Sequence, residues 1–225
     1  MTTSEPPMPP IVSRSEWERA RAELLVREKQ LTRLKDEVSA ARRRLPMVEI
    51  AEPYTFDAEH GVVALADLFG GRSQLIVQHF MFGADWAQGC DGCSMMADHI
   101  GPLSHLHAKD TSFVLVSRAP LATLLAFRGR MGWTLPWVSS GDTTFNEDFG
   151  ATVDGEERHG VSVFLRRGGR VFHTWSTYRR GEEPFMVVFD LLDTTPYGRQ
   201  ETWEDSPAGW PQRPPYDWMR LHDSY

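Results

Sequence analysis

The sequence has 225 residues, of which 41% are hydrophobic and 24% charged, and its formal net charge is −7. A chain of this size can bury a core large enough to fold without disulfides or a structural metal. The acidic balance argues against a nucleic-acid partner, and no apolar run is long enough to span a bilayer. We therefore expect a globular protein with neither a nucleic-acid nor a membrane partner.

Residues 1–12 are rich in proline and are predicted to form a disordered lead-in. They contain no basic patch followed by an apolar segment, so we predict a cytoplasmic protein. Residues 13–46 are predicted to form a long amphipathic helix. Ser15 is its predicted N-cap, Glu18 completes a capping box, and Pro46 marks its end.

One face of this helix carries apolar residues at a strict seven-residue spacing. They are Trp17, Leu24, Leu31, Val38 and Leu45. The row predicts either a homodimer formed through a coiled coil or a helix packed against its own domain, and the spacing fits both.

Residues 47–196 alternate between strand-like and helix-like segments. In chain order we predict a hairpin, a buried strand, a helix, a second buried strand, a second helix, a second hairpin and a closing helix, at residues 54–65, 73–82, 94–109, 111–118, 120–132, 161–177 and 182–196. Gly101 and Pro102 should interrupt the first of these helices. The order predicts an α/β fold of thioredoxin-like type, with a central mixed sheet flanked by helices. The aromatic segment 197–225 is expected to pack on this domain.

The only two cysteines, Cys90 and Cys93, follow the first buried strand in the stretch GADWAQGCDGC. Cytoplasmic thiols are kept reduced, so the pair indicates redox chemistry or metal binding rather than a structural bond. A helix that begins after Cys90 directs its backbone N–H groups at the sulfur and favours the thiolate. Cys90 is therefore the predicted nucleophile and Cys93, one turn further on, the resolving thiol. We expect the Asp91 carboxylate to oppose the thiolate.

A zinc site is the main alternative for the cysteines. His99, His105 and His107 follow the pair and complete the composition of a Cys2His2 site. These histidines lie on the same predicted helix, which would have to fold back to reach the sulfurs. We therefore predict neither a metal nor a cofactor.

Other residues are candidate supporting groups. Trp86 is expected to wall the site, and Tyr178 to donate a hydrogen bond to a reacting oxygen. Arg179 or Arg180 is expected to neutralise the thiolate or to bind an anionic substrate. A packed or solvated structural role is the alternative for each. His79, inside the first buried strand, is expected to be a core histidine.

Several blocks of the sequence, in order, resemble an uncharacterised bacterial family of thioredoxin-like proteins that are described as predicted dithiol-disulfide oxidoreductases. The matching stretches are LTRLKDEV, SQLIVQHFMFGADWAQGCDGCS, VSRAPL, GWTLPWVSS, FNEDFG, FHTWSTY and HDSY. The resemblance covers nearly the whole chain. It implies a thioredoxin-like fold and dithiol exchange, and it implies no particular substrate.

The stretch HFMFGADWAQGC is also similar to the segment before the reactive cysteine of peroxiredoxins, which implies a sheet of peroxiredoxin type. In that family a proline and a threonine assist peroxide activation, and Gly83 and Ala87 stand in their places here. Val161 stands where thioredoxin-like folds usually carry a cis-proline that shapes the groove for a polypeptide. These departures favour small substrates and argue against efficient peroxidase activity.

The sequence thus predicts a thiol-disulfide oxidoreductase that acts on a small disulfide, a peroxide or a protein disulfide and is reduced by a cellular thiol. Two alternatives stay open. One is an atypical peroxiredoxin-like peroxide reductase, in which Cys90 becomes a sulfenic acid and Cys93 condenses with it. The other is a non-enzymatic redox sensor or partner-binding module.

Overall fold

The computed structural model describes residues 6–141 and 143–225, so part of the predicted lead-in lies outside the described residues. The chain forms two compact units. One unit contains the chain as far as Pro46 together with Leu192–Pro215, and the other contains Met47–Leu191 together with Tyr216–Tyr225. The segment 197–225 is divided between the two units after Pro215.

The first helix, α1, spans Arg14–Arg42 and is capped by Ser13, two residues before the predicted cap. The Ser13 side chain accepts a hydrogen bond from the Glu16 N–H at 3.3 Å, and the Glu16 carboxylate accepts one from the Ser13 N–H at 2.9 Å. The prediction of Ser15 was wrong because the sequence contains two overlapping Ser-x-x-Glu patterns, and the helix uses the earlier one.

The seven-residue apolar row of α1 is exposed. Trp17, Leu24, Leu31 and Val38 have exposed fractions between 48% and 65%, and no residue of α1 is buried. Pairing of this row with a second copy of the chain therefore stays a prediction.

The remainder of this unit is held by contacts of its own. Arg199 forms an ion pair with Asp193 at 2.8 Å. The ring of Tyr197 meets the ring of Trp210 at 5.2 Å in an edge-on arrangement, and its hydroxyl donates a hydrogen bond to the Pro7 carbonyl at 3.1 Å. Part of the aromatic tail is thus ordered within the unit that contains α1.

The second unit is built on an eight-stranded mixed sheet with the strand order β1-β10-β9-β4-β5-β6-β2-β3. Its strands are β1 Val48–Ile50, β2 Thr55–Ala58, β3 Gly61–Ala64, β4 Gln74–His79, β5 Thr111–Ser117, β6 Trp137–Ser139, β9 Gly160–Arg167 and β10 Arg170–Tyr178. A separate two-stranded ribbon is formed by β7 Thr152–Val153 and β8 Glu156–Glu157.

The central strands are parallel, and the second hairpin is antiparallel to them. β4 pairs in parallel with β5, and β5 with β6, whereas β9 lies antiparallel to β4 with Gln78 opposite Val161. β5 is buried at every position after its first, as expected for a parallel strand covered on both faces. This is a thioredoxin-like fold with a mixed sheet, and the predicted fold class is confirmed.

Six helices are described. They are α1 and, in the second unit or at its boundary, α2 Asp91–His99, α3 Ser104–His107, α4 Leu121–Arg130, α5 Phe145–Asp148 and α6 Val187–Asp193. The break between α2 and α3 falls at Gly101 and Pro102, as predicted. The predicted closing helix over 182–196 is wrong in its first half, because a 3₁₀ segment, Arg179–Phe185, precedes α6. Pro184 lies in this segment and cannot donate the hydrogen bond that an α-helix would need there.

Alternate residues of β5 enter different core clusters. Val114 and Val116 pack in one cluster with Phe145, whereas Phe113 and Leu115 pack in another with Cys93. Successive side chains of a strand point to opposite faces, so the sheet is covered on both sides. None of the described helices combines the length and the apolar character that a membrane span requires.

We expect Ser13→Ala to destabilise the first turn of α1 by about 0.5–2 kcal/mol, because the Glu16 N–H loses its capping oxygen. Amide hydrogen exchange at Glu16 should become faster. The matched control is Ser15→Ala, which leaves the observed capping box intact. Equal acceleration in both variants would contradict the assignment of Ser13 as the cap.

Candidate active site

Cys90 lies at the carboxyl end of β4, where the sequence places it. After β4 ends at His79, the chain makes a loop and returns, so that the Cys90 N–H donates a hydrogen bond to the Met81 carbonyl at 3.1 Å. Cys90 is the N-cap residue of α2, with φ −63° and ψ 134°. Its sulfur therefore occupies the place of a capping oxygen at the start of the helix.

The loop before Cys90 has two glycines that leave room for aromatic rings. A Cβ on Gly89 would lie 2.5 Å from a ring carbon of Phe80, and a Cβ on Gly83 would lie 2.8 Å from the indole nitrogen of Trp86. Trp86 is 40% exposed and packs on Gly83 of its own loop. Gly83, which stands where peroxiredoxins have a proline, thus leaves room for the Trp86 ring.

Cys93 is buried in the first turn of α2, with an exposed fraction of 4%. Its sulfur accepts a hydrogen bond from the Met81 N–H at 3.4 Å, and its carbonyl accepts one from the Gln78 side chain at 3.0 Å. Both cysteines are free thiols. Burial raises the pKa of the Cys93 thiol well above its ordinary value, and the neighbouring charge on Cys90 adds to this effect.

The thiol of Cys90 is only partly exposed, yet its pKa is lowered to about 6. The largest cause is the hydrogen bond from the Cys93 thiol, and the backbone N–H groups of Cys93 and Gly92 contribute as well. These N–H groups face the sulfur without forming a standard capping hydrogen bond. The charge of His159 lowers the pKa further, and burial opposes all of these effects. At pH 7 such a thiol is about 90% thiolate.

Asp91 is the first residue of α2. The pKa of Cys90 is lowered mainly by the Cys93 thiol and the N–H groups of the helix start. Opposition of the Asp91 carboxylate to the thiolate stays a prediction.

His159 and Glu182 form a pair that the sequence analysis missed. His159 directly precedes β9, Glu182 lies in the 3₁₀ segment, and the imidazole Nδ1 is paired with a Glu182 carboxylate oxygen. The hydrogen bond to Glu182 raises the pKa of His159, whereas burial raises the pKa of Glu182. The signal was present in the sequence, since His159 is two residues before Val161, the position expected to face the cysteines.

The buried carboxylate also acts on the second cysteine. Glu182 is 4% exposed, and within the described part of the chain its Oε1 has no hydrogen-bond partner. Its charge contributes to the raised pKa of Cys93. The two thiols thus have one charged partner each, His159 for Cys90 and Glu182 for Cys93.

Tyr178 and Arg179 lie in the same region as His159, and the roles predicted for them stay predictions. The Tyr178 hydroxyl donates a hydrogen bond to the Phe149 carbonyl, so in this structure it is not free to donate to a reacting oxygen. Arg179 starts the 3₁₀ segment, is exposed, and lies near enough to His159 to oppose its protonation. Val161 is fully buried against Met95 and Met96.

The histidines of the zinc hypothesis are not gathered around the sulfurs. The Nδ1 of His99 is hydrogen-bonded to the Met95 carbonyl at 2.6 Å, at the far end of α2 from Cys90. His105 and His107 lie on α3, beyond the helix break. Among residues 6–141 and 143–225, no group of three or more His, Cys, Asp or Glu side chains is arranged to hold a metal ion.

Comparisons with known proteins identify a family but no characterised relative. The family model described as bacterial protein of unknown function (DUF899) matches residues 6–225. No curated protein matches the sequence.

Similar solved structures share little sequence with this chain. A cysteine-to-serine mutant of Xanthomonas campestris peroxiredoxin Q is 15% identical, with a TM-score of 0.48 over 65% of this chain and 96% of that one. A putative thiol:disulfide interchange protein DsbE from Chlorobium tepidum is 15% identical, with a TM-score of 0.41 over 64% and 97%. A putative protein disulfide isomerase from Bacteroides thetaiotaomicron is 22% identical, with a TM-score of 0.42 over 67% and 90%.

We expect the rate of alkylation of the reduced protein by iodoacetamide to rise with pH through an inflection near 6, the pKa of Cys90. His159→Gln removes a positive charge that favours the thiolate, so the inflection should move upward, by about one pH unit. His105→Gln, on α3, and Asp91→Asn should move it less. An unchanged or lower inflection in His159→Gln would contradict the role given to this imidazole.

Proposed function

We propose that this chain, which belongs to the bacterial family of unknown function DUF899, is a thiol-disulfide oxidoreductase with Cys90 as its nucleophile and Cys93 as its resolving thiol. The observation that carries the proposal is the difference in environment between the two sulfurs. Cys90 is partly exposed and its pKa is lowered, whereas Cys93 is buried beside it and its pKa is raised. One thiol is therefore ready to attack while the other retains its proton.

In the first step the Cys90 thiolate attacks one sulfur of a substrate disulfide. A Cys90–substrate disulfide forms, the substrate S–S bond breaks, and one substrate thiolate leaves. His159, whose protonated form is favoured by Glu182, lies close enough to influence Cys90 electrostatically and is the group placed to give a proton to the leaving thiolate.

In the second step Cys93 attacks the Cys90 sulfur. Once Cys90 is part of a mixed disulfide it carries no charge, so one of the causes that raised the pKa of Cys93 disappears. The Cys93 thiol then loses its proton more readily, a Cys90–Cys93 disulfide forms, and the second substrate thiolate leaves and is protonated. The dithiol is oxidised by two electrons and the substrate is reduced to two thiols. A cellular thiol reductant in the cytoplasm would return the electrons.

Cys93→Ser is expected to trap the intermediate. With a small disulfide as substrate, this variant should accumulate a mixed disulfide on Cys90, because it has no second thiol to resolve the bond. Intact-protein mass spectrometry measures the adduct. Wild type should instead lose two hydrogens and carry no adduct, and Cys90→Ser should give neither product. A stable adduct on Cys93 in the Cys90→Ser variant, formed as fast as on Cys90, would contradict the assignment.

Hydrogen peroxide separates the proposal from a peroxide reductase. Because Gly83 and Ala87 replace the two helper residues of peroxiredoxins, we expect reduced wild type to react with peroxide within about tenfold of the rate of a simple thiol with the same thiolate fraction. Stopped-flow tryptophan fluorescence follows the oxidation. A reaction with peroxide that is orders of magnitude faster than with any small disulfide would replace the oxidoreductase assignment by the peroxidase one.

A further inference from the structure

A cavity of about 500 Å³ lies within the sheet unit. Neither cysteine lines it, but Met81 and His159 are among its lining residues. The backbone of Met81 contacts both cysteines, through its carbonyl to Cys90 and its N–H to the Cys93 sulfur. His159 acts electrostatically on Cys90. The cavity is therefore linked to the cysteine pair through these two residues, and its size is that of a site for a small organic molecule.

The charges around this cavity are unbalanced toward the positive. Arg158, His159 and Arg179 line it, together with one carboxylate, Glu157. Glu157 is already paired with Arg118 at 3.3 Å. In the described part of the chain, no acceptor is found for the guanidinium of Arg158 or of Arg179. Although the chain as a whole has a net charge of −7, this cavity is lined by two arginines for which the described residues provide no acceptor.

The position of Arg179 is unfavourable in two ways without a ligand. Its charge opposes the protonation of the neighbouring His159. Its backbone also has a φ of 55°, in the left-handed region that residues other than glycine seldom adopt. Backbone strain of this kind is often found where a side chain must be aimed at a ligand. An anionic group bound by Arg179 would offset the charge that opposes the protonation of His159.

The remaining walls are apolar and rigid. Met81, Val153 and the ring of Tyr178 line the cavity. The Tyr178 ring is fixed by the hydrogen bond of its hydroxyl to Phe149. A Cβ on Gly160 would lie 2.5 Å from a carbon of this ring, so the adjacent strand leaves the ring no room to move inward. The cavity accepts a short apolar chain next to a charged group.

We propose that this cavity selects anionic small-molecule disulfides, with a substrate carboxylate on Arg158 and Arg179, the adjoining methylene groups against Met81 and Tyr178, and one sulfur at Cys90. The proposal rests on the proposed function for the disulfide and on the cavity alone for the negative charge. Two guanidinium groups recognise a carboxylate through charge-assisted hydrogen bonds, which a neutral or cationic disulfide cannot form.

Three disulfides that each have two methylene groups between the sulfur and the terminal polar group test the charge preference. They are 3,3′-dithiodipropionate, which is anionic, bis(2-hydroxyethyl) disulfide, which is neutral, and cystamine, which is cationic. The rate of oxidation of the reduced protein is measured for each and divided by the rate of the same reagent with 1-thioglycerol, a neutral thiol that is the parent thiol of none of the three. Wild type should prefer the anionic reagent, and the double variant Arg158→Gln/Arg179→Gln should lose about tenfold or more of this preference.

Alkylation provides a second readout that does not depend on disulfide exchange. Iodoacetate is anionic and iodoacetamide neutral, and both modify Cys90. The ratio of their rates should be higher for wild type than for 2-mercaptoethanol and should fall in the double variant. Arg158→Lys/Arg179→Lys should recover part of the ratio, since it keeps the charges. Arg33→Gln/Arg167→Gln, at exposed positions on α1 and at the opposite end of β9, is the control for the loss of two positive charges.

The outcomes separate the two proposals. If the anion preference is the same in wild type and the arginine variants in both assays, the cavity is not the anion site and this inference is overturned. If iodoacetate is preferred but none of the three disulfides oxidises the protein faster than a simple thiol of equal ionisation, the anion site stands. In that case the oxidoreductase function fails, and with it the disulfide as ligand.

Discussion

The negative charge on the Cys90 sulfur, held against the start of α2, is the feature around which the site is organised. Lowering the pKa of this thiol from 9.0 to about 6 corresponds to roughly 4 kcal/mol in favour of the thiolate. The Cys93 thiol and the first N–H groups of the helix supply most of it. Met81 sets the geometry, because its carbonyl and its N–H contact the two cysteines at once. The positions of both cysteines are thus tied to the loop that directly follows β4.

Two further charged groups, both outside α2, act on the thiols. The hairpin β9–β10 and the 3₁₀ segment after it deliver His159 and Glu182, and neither belongs to the helix that carries the thiols. Burial makes the Glu182 carboxylate costly, and its pairing with His159 offsets part of this cost. The pair in turn biases the two cysteines in opposite directions. Because His159 directly precedes β9, the register of β9 on β4 determines where this imidazole lies relative to the sulfurs.

The sequence predicted the parts of this molecule that depend on local patterns. Apolar runs located the buried strands β4 and β5, and the glycines and prolines located the helix break and the second hairpin. The helix start predicted after Cys90 agrees with the beginning of α2 at Asp91. What it did not predict depends on choices between equivalent patterns or on distant pairing. Ser13 and Ser15 both begin a capping box, and only the folded helix shows which is used. His159 and Glu182 are 23 residues apart in the chain and meet only through the hairpin.

The unit that contains the thiols is discontinuous in the chain, and this bears on how it is held together. Residues 216–225 return to it after the excursion of Leu192–Pro215. Leu221 is buried in the same cluster as Cys93, and Asp223 forms two hydrogen bonds with the Arg130 guanidinium at 2.7 and 2.9 Å. A protease that cut the excursion would sever the covalent link to this short segment without removing its contacts. The segment would then behave as a bound peptide, and the packing around Cys93 would become dependent on concentration.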